Sequence, residues 1–158
     1  MKYQDYIIES TKEAFEAAFK YARHVKPDKL EWKPLDEGRT VMNILHELTK
    51  CPDWAVEIMS STEPPSFSEE SMAAYEAEKS EWTSVEKCYE IGKAKLAKFV
   101  EFVAAFPDDK LKDTKWLPFD GGRDFTNAEQ MGYPLWNYSY HQGQIAYIET
   151  LYGDKEMP

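Results

Sequence analysis

The stretch from Met131 to Gly153 constrains the fold more than any other part of the chain, because its apolar residues repeat at the spacing of a helix. Residues that recur every three or four positions lie on one face of a helix. The series consists of Leu135, Tyr138, His141, Ile145, Ile148 and Tyr152. The pattern therefore predicts a helix whose buried face includes a histidine.

His141 has two amide residues near it on the same predicted face. Asn137 precedes it by four residues and Gln144 follows it by three. Side chains at these spacings are neighbours on a helix surface, so all three could contact one small ligand. A single inward histidine is more often a hydrogen-bonded core residue than a ligand, and the sequence leaves that structural role open.

His46 occupies a comparable position in a second predicted helix. This helix begins at Val41, has Thr40 as its N-cap and runs to about Ser60, and Pro52 either kinks it or ends its first half. Its apolar positions are Val41, Ile44, Leu45, Leu48, Val56 and Met59. Two helices that each carry a histidine on the buried side suggest one shared site.

Two further helices are expected in the first two thirds of the chain. One covers about Tyr3 to His24 and is ended by Pro27. His24 falls in its last turn, where an imidazolium complements the helix dipole, which favours a structural role. The other runs from a capping-box pattern at Ser66 and Glu69 to Phe106, and the pattern does not decide whether Lys79 to Thr83 interrupts it.

The helical period disappears between Asp108 and Phe125. The run Asp120-Gly121-Gly122 favours a tight turn, so an ordered loop or small hairpin is expected. Thr126 and Glu129 then form a capping box for the last helix, and Gly153 suits a left-handed end. Together the patterns predict an all-α four-helix bundle with a structured loop or small hairpin between helices three and four.

Composition agrees with one soluble domain that spans residues 1–158. The hydrophobic fraction is 42%, which is enough to build a core in a chain of 158 residues. A net charge of -10 argues against nucleic acid as a partner, since phosphate binding needs clustered Lys and Arg. No window approaches about 18 consecutive apolar residues, so no membrane partner is expected. Cys51 and Cys88 form no CxxC motif or disulfide framework, and we expect a cytoplasmic protein.

Two separated segments resemble the DinB/YfiT-like superfamily of four-helix-bundle metalloenzymes. LEWKPLDEGRTVMNILHELTKCPDW resembles the segment of that family that runs from a Trp-Pro connector into a helix-two histidine, and WNYSYHQGQIAYIETLYGD resembles its helix-four segment. Members of the family typically hold a divalent metal with three histidines. Several related enzymes use that metal to activate a low-molecular-weight thiol for transfer or isomerisation.

The resemblance implies a metal site with His46 and His141 as ligands. Asn137 stands at the remaining ligand position, where the family has a third histidine. A carboxamide oxygen is a weaker ligand than imidazole for Zn or Ni, the two metals that the resemblance favours. Gln144 is expected either to orient a ligand or to form a hydrogen bond between helices.

The functional expectation is a metal-dependent transferase that activates a small-molecule thiol. Two alternatives remain open: a non-catalytic metal- or small-ligand-binding bundle with a site weakened by Asn137, and a purely structural domain. The resemblance also implies a homodimer. Trp54, Trp136 and Tyr140 are expected to form either a pocket wall or ordinary core and dimer contacts, and Cys51 is not expected to be a catalytic thiol.

Overall fold

Four long helices and one short helix make up most of the described residues, where the periodic patterns predicted four helices. The structure is a computed structural model, and it describes residues 1–63 and 68–158. The elements are, in order, α1 (Tyr3–His24), α2 (Val41–Ser60), α3 (Glu69–Lys79), α4 (Val85–Ala104), β1 (Thr114–Leu117), β2 (Arg123–Thr126) and α5 (Asn127–Leu151). Short 3-10 turns at Pro27–Lys29 and Asp108–Lys110 follow α1 and α4.

The bundle is built from α1, α2, α4 and α5. Both α1 and α2 pack against α4 and α5, so the apolar stripes of the four helices meet in one core. The largest fully buried side chains include Phe15, Phe19, Ile44, Leu45, Leu48, Phe99, Met131, Tyr138 and Ile145. The predicted all-α four-helix bundle is thereby confirmed.

The third predicted helix is divided into two helices. α3 ends at Lys79, and α4 begins after Ser84, whose hydroxyl accepts a hydrogen bond from the Lys87 backbone N–H at 3.1 Å. Trp82 lies in the break with 2% of its surface exposed, so burying this ring turns the chain back towards the core. α3 buries none of its residues and lies outside the four-helix core.

The N-terminal cap of α3 is formed by Ser68, whose side chain accepts a hydrogen bond from the Ser71 backbone N–H at 3.2 Å. The capping box predicted at Ser66 and Glu69 includes a residue outside the described part of the chain. Its contribution therefore stays a prediction.

The segment before α5 is a small antiparallel hairpin. Thr114 of β1 pairs with Thr126 of β2, and Leu117 pairs with Arg123. Gly121 and Gly122 both have a φ of 81°, in the left-handed region that glycine adopts without strain. The hairpin is one of the two alternatives that the sequence left open, and it leads directly into α5.

The buried face of α5 matches the predicted stripe. Tyr138, His141, Ile145 and Ile148 are buried. Leu135 and Tyr152, at the two ends of the series, are partly buried against the core. None of the helices in the two described ranges combines the length and the apolar character needed to cross a membrane.

Removing the cap of α5 should weaken the fold measurably. Thr126 accepts a hydrogen bond from the Glu129 backbone N–H at 3.1 Å, and the Glu129 carboxylate accepts one from the Thr126 backbone N–H at 2.7 Å. We expect Thr126→Ala to lower the free energy of unfolding by about 1 kcal/mol in urea denaturation. Ser139→Ala on the exposed surface of α5 is the control, and an equal loss in the two variants would contradict the capping role.

Candidate metal centre

A buried polar network joins α2 to α5, and Glu47 is its centre. Oε1 of Glu47 accepts a hydrogen bond from Nδ2 of Asn137 at 2.9 Å and lies 3.0 Å from Nε2 of His141. Asn137 is 1% exposed and His141 is 3% exposed, whereas a quarter of the Glu47 side chain reaches solvent. The network therefore has a buried inner side on α5 and an opening on the α2 side.

The second oxygen of Glu47 is held by Arg39. Nη1 of Arg39 lies 2.8 Å from Oε2 of Glu47, and its Nε donates to Oδ1 of Asn43 at 2.6 Å. Burial alone would raise the pKa of the Glu47 carboxyl. The hydrogen bonds from His141, Asn137 and Arg39 outweigh burial and lower that pKa to about 2. Glu47 is therefore an anion at neutral pH.

The orientation of His141 is fixed by Gln144. Nδ1 of His141 lies 2.6 Å from Oε1 of Gln144, and the Gln144 amide donates to the Tyr140 hydroxyl at 3.3 Å. Because a carboxamide oxygen can only accept, Nδ1 carries a proton. Because the ionised Glu47 carboxylate also only accepts, Nε2 donates to it, and a metal could bind Nε2 only after that proton leaves. Both of these Gln144 partners lie on its own helix, and its predicted role in orienting a ligand stays a prediction.

Asn137 contributes a buried oxygen that has no hydrogen-bond partner among the described residues. Its Nδ2 donates to Glu47 and, at 3.2 Å, to the Tyr133 hydroxyl, while Oδ1 accepts from no group. Buried polar atoms are nearly always satisfied, so either a water or a ligand is expected at this oxygen. The imidazole nitrogen, the carboxylate and the carboxamide oxygen are each of a type that divalent metals accept as ligands.

His46 lies outside this network. Its Nε2 is 2.9 Å from the backbone oxygen of Trp82, and the ring lines a surface cleft of about 410 Å³. Because a carbonyl oxygen only accepts, Nε2 carries a proton and is not free to bind a metal. His46 and His141 share no hydrogen-bond partner among the described residues, whereas Glu47 contacts α5 directly, and joint binding of a metal by the two histidines stays a prediction.

The sequence reasoning missed Glu47, although a signal for it was present. Arg39, just before α2, is followed at intervals of four residues by Asn43 and Glu47 on α2, and the three form a polar row. Asn137 and His141 form a matching row on α5 with the same spacing. Two polar rows with the same spacing indicate the polar contact between α2 and α5 better than the two histidines alone do.

The aromatic residues predicted to wall a pocket are divided between two places. Trp136 and Tyr140 are 57% and 51% exposed, and their rings stack with centroids 5.2 Å apart. The Tyr140 ring also contacts the His141 ring edge-on at 5.2 Å. These two residues form an exposed aromatic surface beside the network, whereas Trp54 packs against Tyr75.

Cys51 is fully buried, and burial raises the pKa of its thiol far above the usual value. Only the thiolate form of a cysteine is strongly nucleophilic. The structure thus gives Cys51 the packing role that the sequence favoured over a catalytic one.

Comparison with known proteins gives matches among solved structures alone. No protein-family model matches the chain, and no curated protein matches it. YfiT from Bacillus subtilis, described as a probable metal-dependent hydrolase with an unusual four-helix bundle topology, superposes with a TM-score of 0.74 and 15% identity over 96% of this chain and 88% of that chain. A conserved protein from Enterococcus faecalis superposes with a TM-score of 0.68 and 12% identity over 96% and 97% of the two chains. At these identities the likeness concerns the fold alone, and the chain therefore shares the four-helix-bundle fold of YfiT.

Proposed function

We propose that this protein is a metal-dependent enzyme whose centre consists of Glu47, Asn137 and His141, and that it transfers a low-molecular-weight thiol. The observation that carries the proposal is the buried Asn137 oxygen, which has no described partner and lies on a side chain bound to an ionised carboxylate. The fold adds support, since YfiT is described as a probable metal-dependent hydrolase.

A divalent cation held by these residues would supply Lewis-acid chemistry that lowers the pKa of a thiol or of water. The protein residues have separate tasks. Gln144 keeps the proton on Nδ1 of His141, so that Nε2 is the atom that would offer its lone pair to the cation once its own proton has left. Glu47 supplies negative charge, and Arg39 orients it through its second oxygen.

The stacked rings of Trp136 and Tyr140 offer a binding surface for the organic part of a substrate. They are exposed and lie next to His141, so a ligand on them would be close to the centre. Aromatic faces bind apolar and cationic groups with little loss of conformational freedom. Under this proposal substrate recognition lies on α5, and the ionised groups of Glu47 and Arg39 are left for the reaction.

A second candidate function is a binding protein without catalysis. Arg39 already neutralises Glu47 at 2.8 Å, and the Asn137 amide donates to the same carboxylate. A cation must compete with this guanidinium, so the site would bind metal more weakly than a set of three imidazoles. Under this alternative, metal binds without supporting turnover.

Metal binding should be tested on tag-free protein by elemental analysis and by calorimetric titration with Zn²⁺ and Ni²⁺. We expect Glu47→Gln to lower the affinity by at least about tenfold, because the charged ligand is lost. His46→Gln, which retains a donor for the Trp82 carbonyl, is the matched control and should leave the affinity unchanged. Loss of binding in His46→Gln with none in Glu47→Gln would overturn the assignment of Glu47 and restore His46 as the ligand.

Turnover then separates the two functions. The metal-loaded protein should be assayed with a panel of small thiols and electrophilic acceptors, and in parallel with hydrolysable esters and amides. Thiol-dependent product formation that disappears with a chelator supports the transferase. Hydrolysis that does not depend on a thiol would indicate that water, not a thiol, is the nucleophile. Stoichiometric metal binding without any turnover would favour the binding protein.

Restoring the histidine of the family at position 137 should strengthen metal binding. In Asn137→His an imidazole nitrogen replaces a carboxamide oxygen beside Glu47 and His141, so we expect the Zn²⁺ dissociation constant to fall by about tenfold or more, equivalent to about 1.4 kcal/mol. Gln142→His adds a histidine to the same helix outside the network and serves as the control. Equal affinity of Asn137→His and wild type would show that position 137 does not face the metal.

A further inference from the structure

A second polar cluster lies where α1 and α5 end, and it is separate from the network around Glu47. His24 is the last residue of α1, and Glu149 lies in the last turns of α5. The chain then turns back through Gly153, whose φ is 93°, and the Asp154 backbone N–H donates to the Glu149 carbonyl at 3.0 Å. With the bond from the Gly153 N–H to the Thr150 carbonyl, this is a Schellman motif that fixes Asp154 close to Glu149.

The side chains of His24, Glu149 and Asp154 converge. Each offers one possible ligand atom, and these atoms all lie within 4.8 Å of one another. Elsewhere among the residues that the structure describes, no three His, Cys, Asp or Glu side chains lie close enough together to hold a metal. Nδ1 of His24 and Oε1 of Glu149 are 2.8 Å apart.

A second observation indicates that a ligand is missing from this cluster. Glu149 is 2% exposed, and its Oε2 has no hydrogen-bond partner among the described residues. A carboxylate oxygen that is buried without a partner loses its hydration and gains no hydrogen bond in return. A cation bound between His24 and Asp154 would give the Glu149 carboxylate a further partner.

The surrounding charges favour a cation. The C-terminal ends of α1 and α5 both lie at this cluster, and each carries the negative end of a helix dipole. Glu156 adds a third carboxylate, with Oε2 at 3.6 Å from Nε2 of His24. Of the nearby basic residues, Lys26 and Lys29 have their ammonium groups over the Tyr152 ring, and no described lysine or arginine forms an ion pair with Glu149 or Asp154.

We infer that His24, Glu149 and Asp154 form a divalent-metal site that fastens the C-terminal tail to the end of α1. One imidazole and two carboxylates suit first-row metals such as Zn²⁺ or Mn²⁺ rather than Mg²⁺ or Ca²⁺, which prefer oxygen ligands alone. The site is structural, because Glu149 is buried and the metal would join the end of α1 to the segment that follows α5. When the metal binds, the proton between His24 and Glu149 leaves to solvent.

The test is a titration of chelator-treated wild-type protein with Zn²⁺, followed by NMR of the imidazole nitrogens. The chain has three histidines, so each ring can be assigned separately. We expect the His24 ring signals to shift with a stoichiometry of one Zn²⁺ per chain. Asp154→Asn, in the partly exposed tail, should weaken that binding at least about tenfold, whereas the control Asp28→Asn should not.

The same spectra separate this site from the centre at Glu47. Unchanged His24 signals at saturating Zn²⁺ would overturn the inference, whatever happens at His141. A His24 shift without a His141 shift would support this site and count against the proposed function. Equal weakening by Asp154→Asn and Asp28→Asn would also overturn it, because the effect would then reflect general charge rather than ligation.

Discussion

Glu47→Gln is expected to destabilise the protein by up to about 3 kcal/mol at neutral pH, even though a glutamine has nearly the same shape. The carboxylate receives hydrogen bonds from Asn137 and Arg39 and faces His141, and these partners are buried or partly buried. A neutral carboxamide loses the charge that stabilises the guanidinium. It must also present an N–H group to one of its former donors, which leaves that donor without an acceptor.

The sign of the pH dependence follows from the lowered pKa. The pKa of Glu47 is about 2 in the folded protein, against a usual value of 4.5. A carboxyl whose pKa is lowered by folding contributes stability that is fully present above the unfolded value and is lost as the pH falls towards the folded value. The difference between wild type and Glu47→Gln should therefore decrease by about 1 kcal/mol between about pH 7 and about pH 3.5.

Urea denaturation of wild type and Glu47→Gln at the two pH values measures this effect. Glu57→Gln lies on the same helix with an exposed carboxylate and a single ion pair to Lys50 at 3.7 Å, so it should change stability little at either pH. A stability difference that is the same at both pH values would mean that the charge of Glu47 is not what stabilises the contact between α2 and α5.

The helices could be predicted well because their ends are determined by local chemistry. Thr40 caps α2 through the Asn43 backbone N–H, Thr126 and Glu129 cap α5 reciprocally, and Gly153 takes the left-handed conformation expected of it. These contacts join residues within four positions of each other, so the sequence displays them directly. The hairpin before α5 was likewise indicated by its glycines.

The break between α3 and α4 could not be decided from local preferences. The residues around it favour helix, and the event that interrupts the helix is the burial of Trp82 against residues distant in sequence. Helix propensities differ by only a few tenths of a kcal/mol per residue. Tertiary packing overrides them when the burial of apolar surface contributes more free energy than that. Ser84, which caps α4, was the one local sign of a new helix start.

The site was partly predictable for the same reason. His141, Asn137 and Gln144 lie together because they are neighbours on one helix, and their spacing is visible in the sequence. The partner on α2 depends on how that helix is rotated, and one residue corresponds to about 100° of rotation. Hydrophobic periodicity does not resolve a rotation of that size at the edge of an apolar stripe, so it did not indicate that Glu47 contacts α5. The thiol substrate and the homodimer stay predictions, because each depends on a second molecule.

Phe15→Ala is expected to destabilise the protein by about 3–5 kcal/mol, a larger loss than Glu47→Gln should cause. Phe15 is 1% exposed, and its ring contacts Phe19 on its own helix, Tyr89 on α4 and Tyr138 on α5, with centroids 4.7, 5.4 and 5.5 Å away. Truncation leaves a cavity where three helices meet. The free energy of unfolding falls because less apolar surface is buried and because the side chains around the cavity lose van der Waals contacts.

Because Tyr138 follows Asn137 in α5, the same cavity would loosen the helix that carries the metal-centre residues. Calorimetric or urea unfolding should show the loss as a lower midpoint, and Tyr147→Ala, which truncates an aromatic ring that is 65% exposed on α5, should stay within about 0.5 kcal/mol of wild type. Similar losses in the two variants would contradict the packing of α1 against α4 and α5, because of these two rings the Phe15 ring contacts both helices and the Tyr147 ring is exposed.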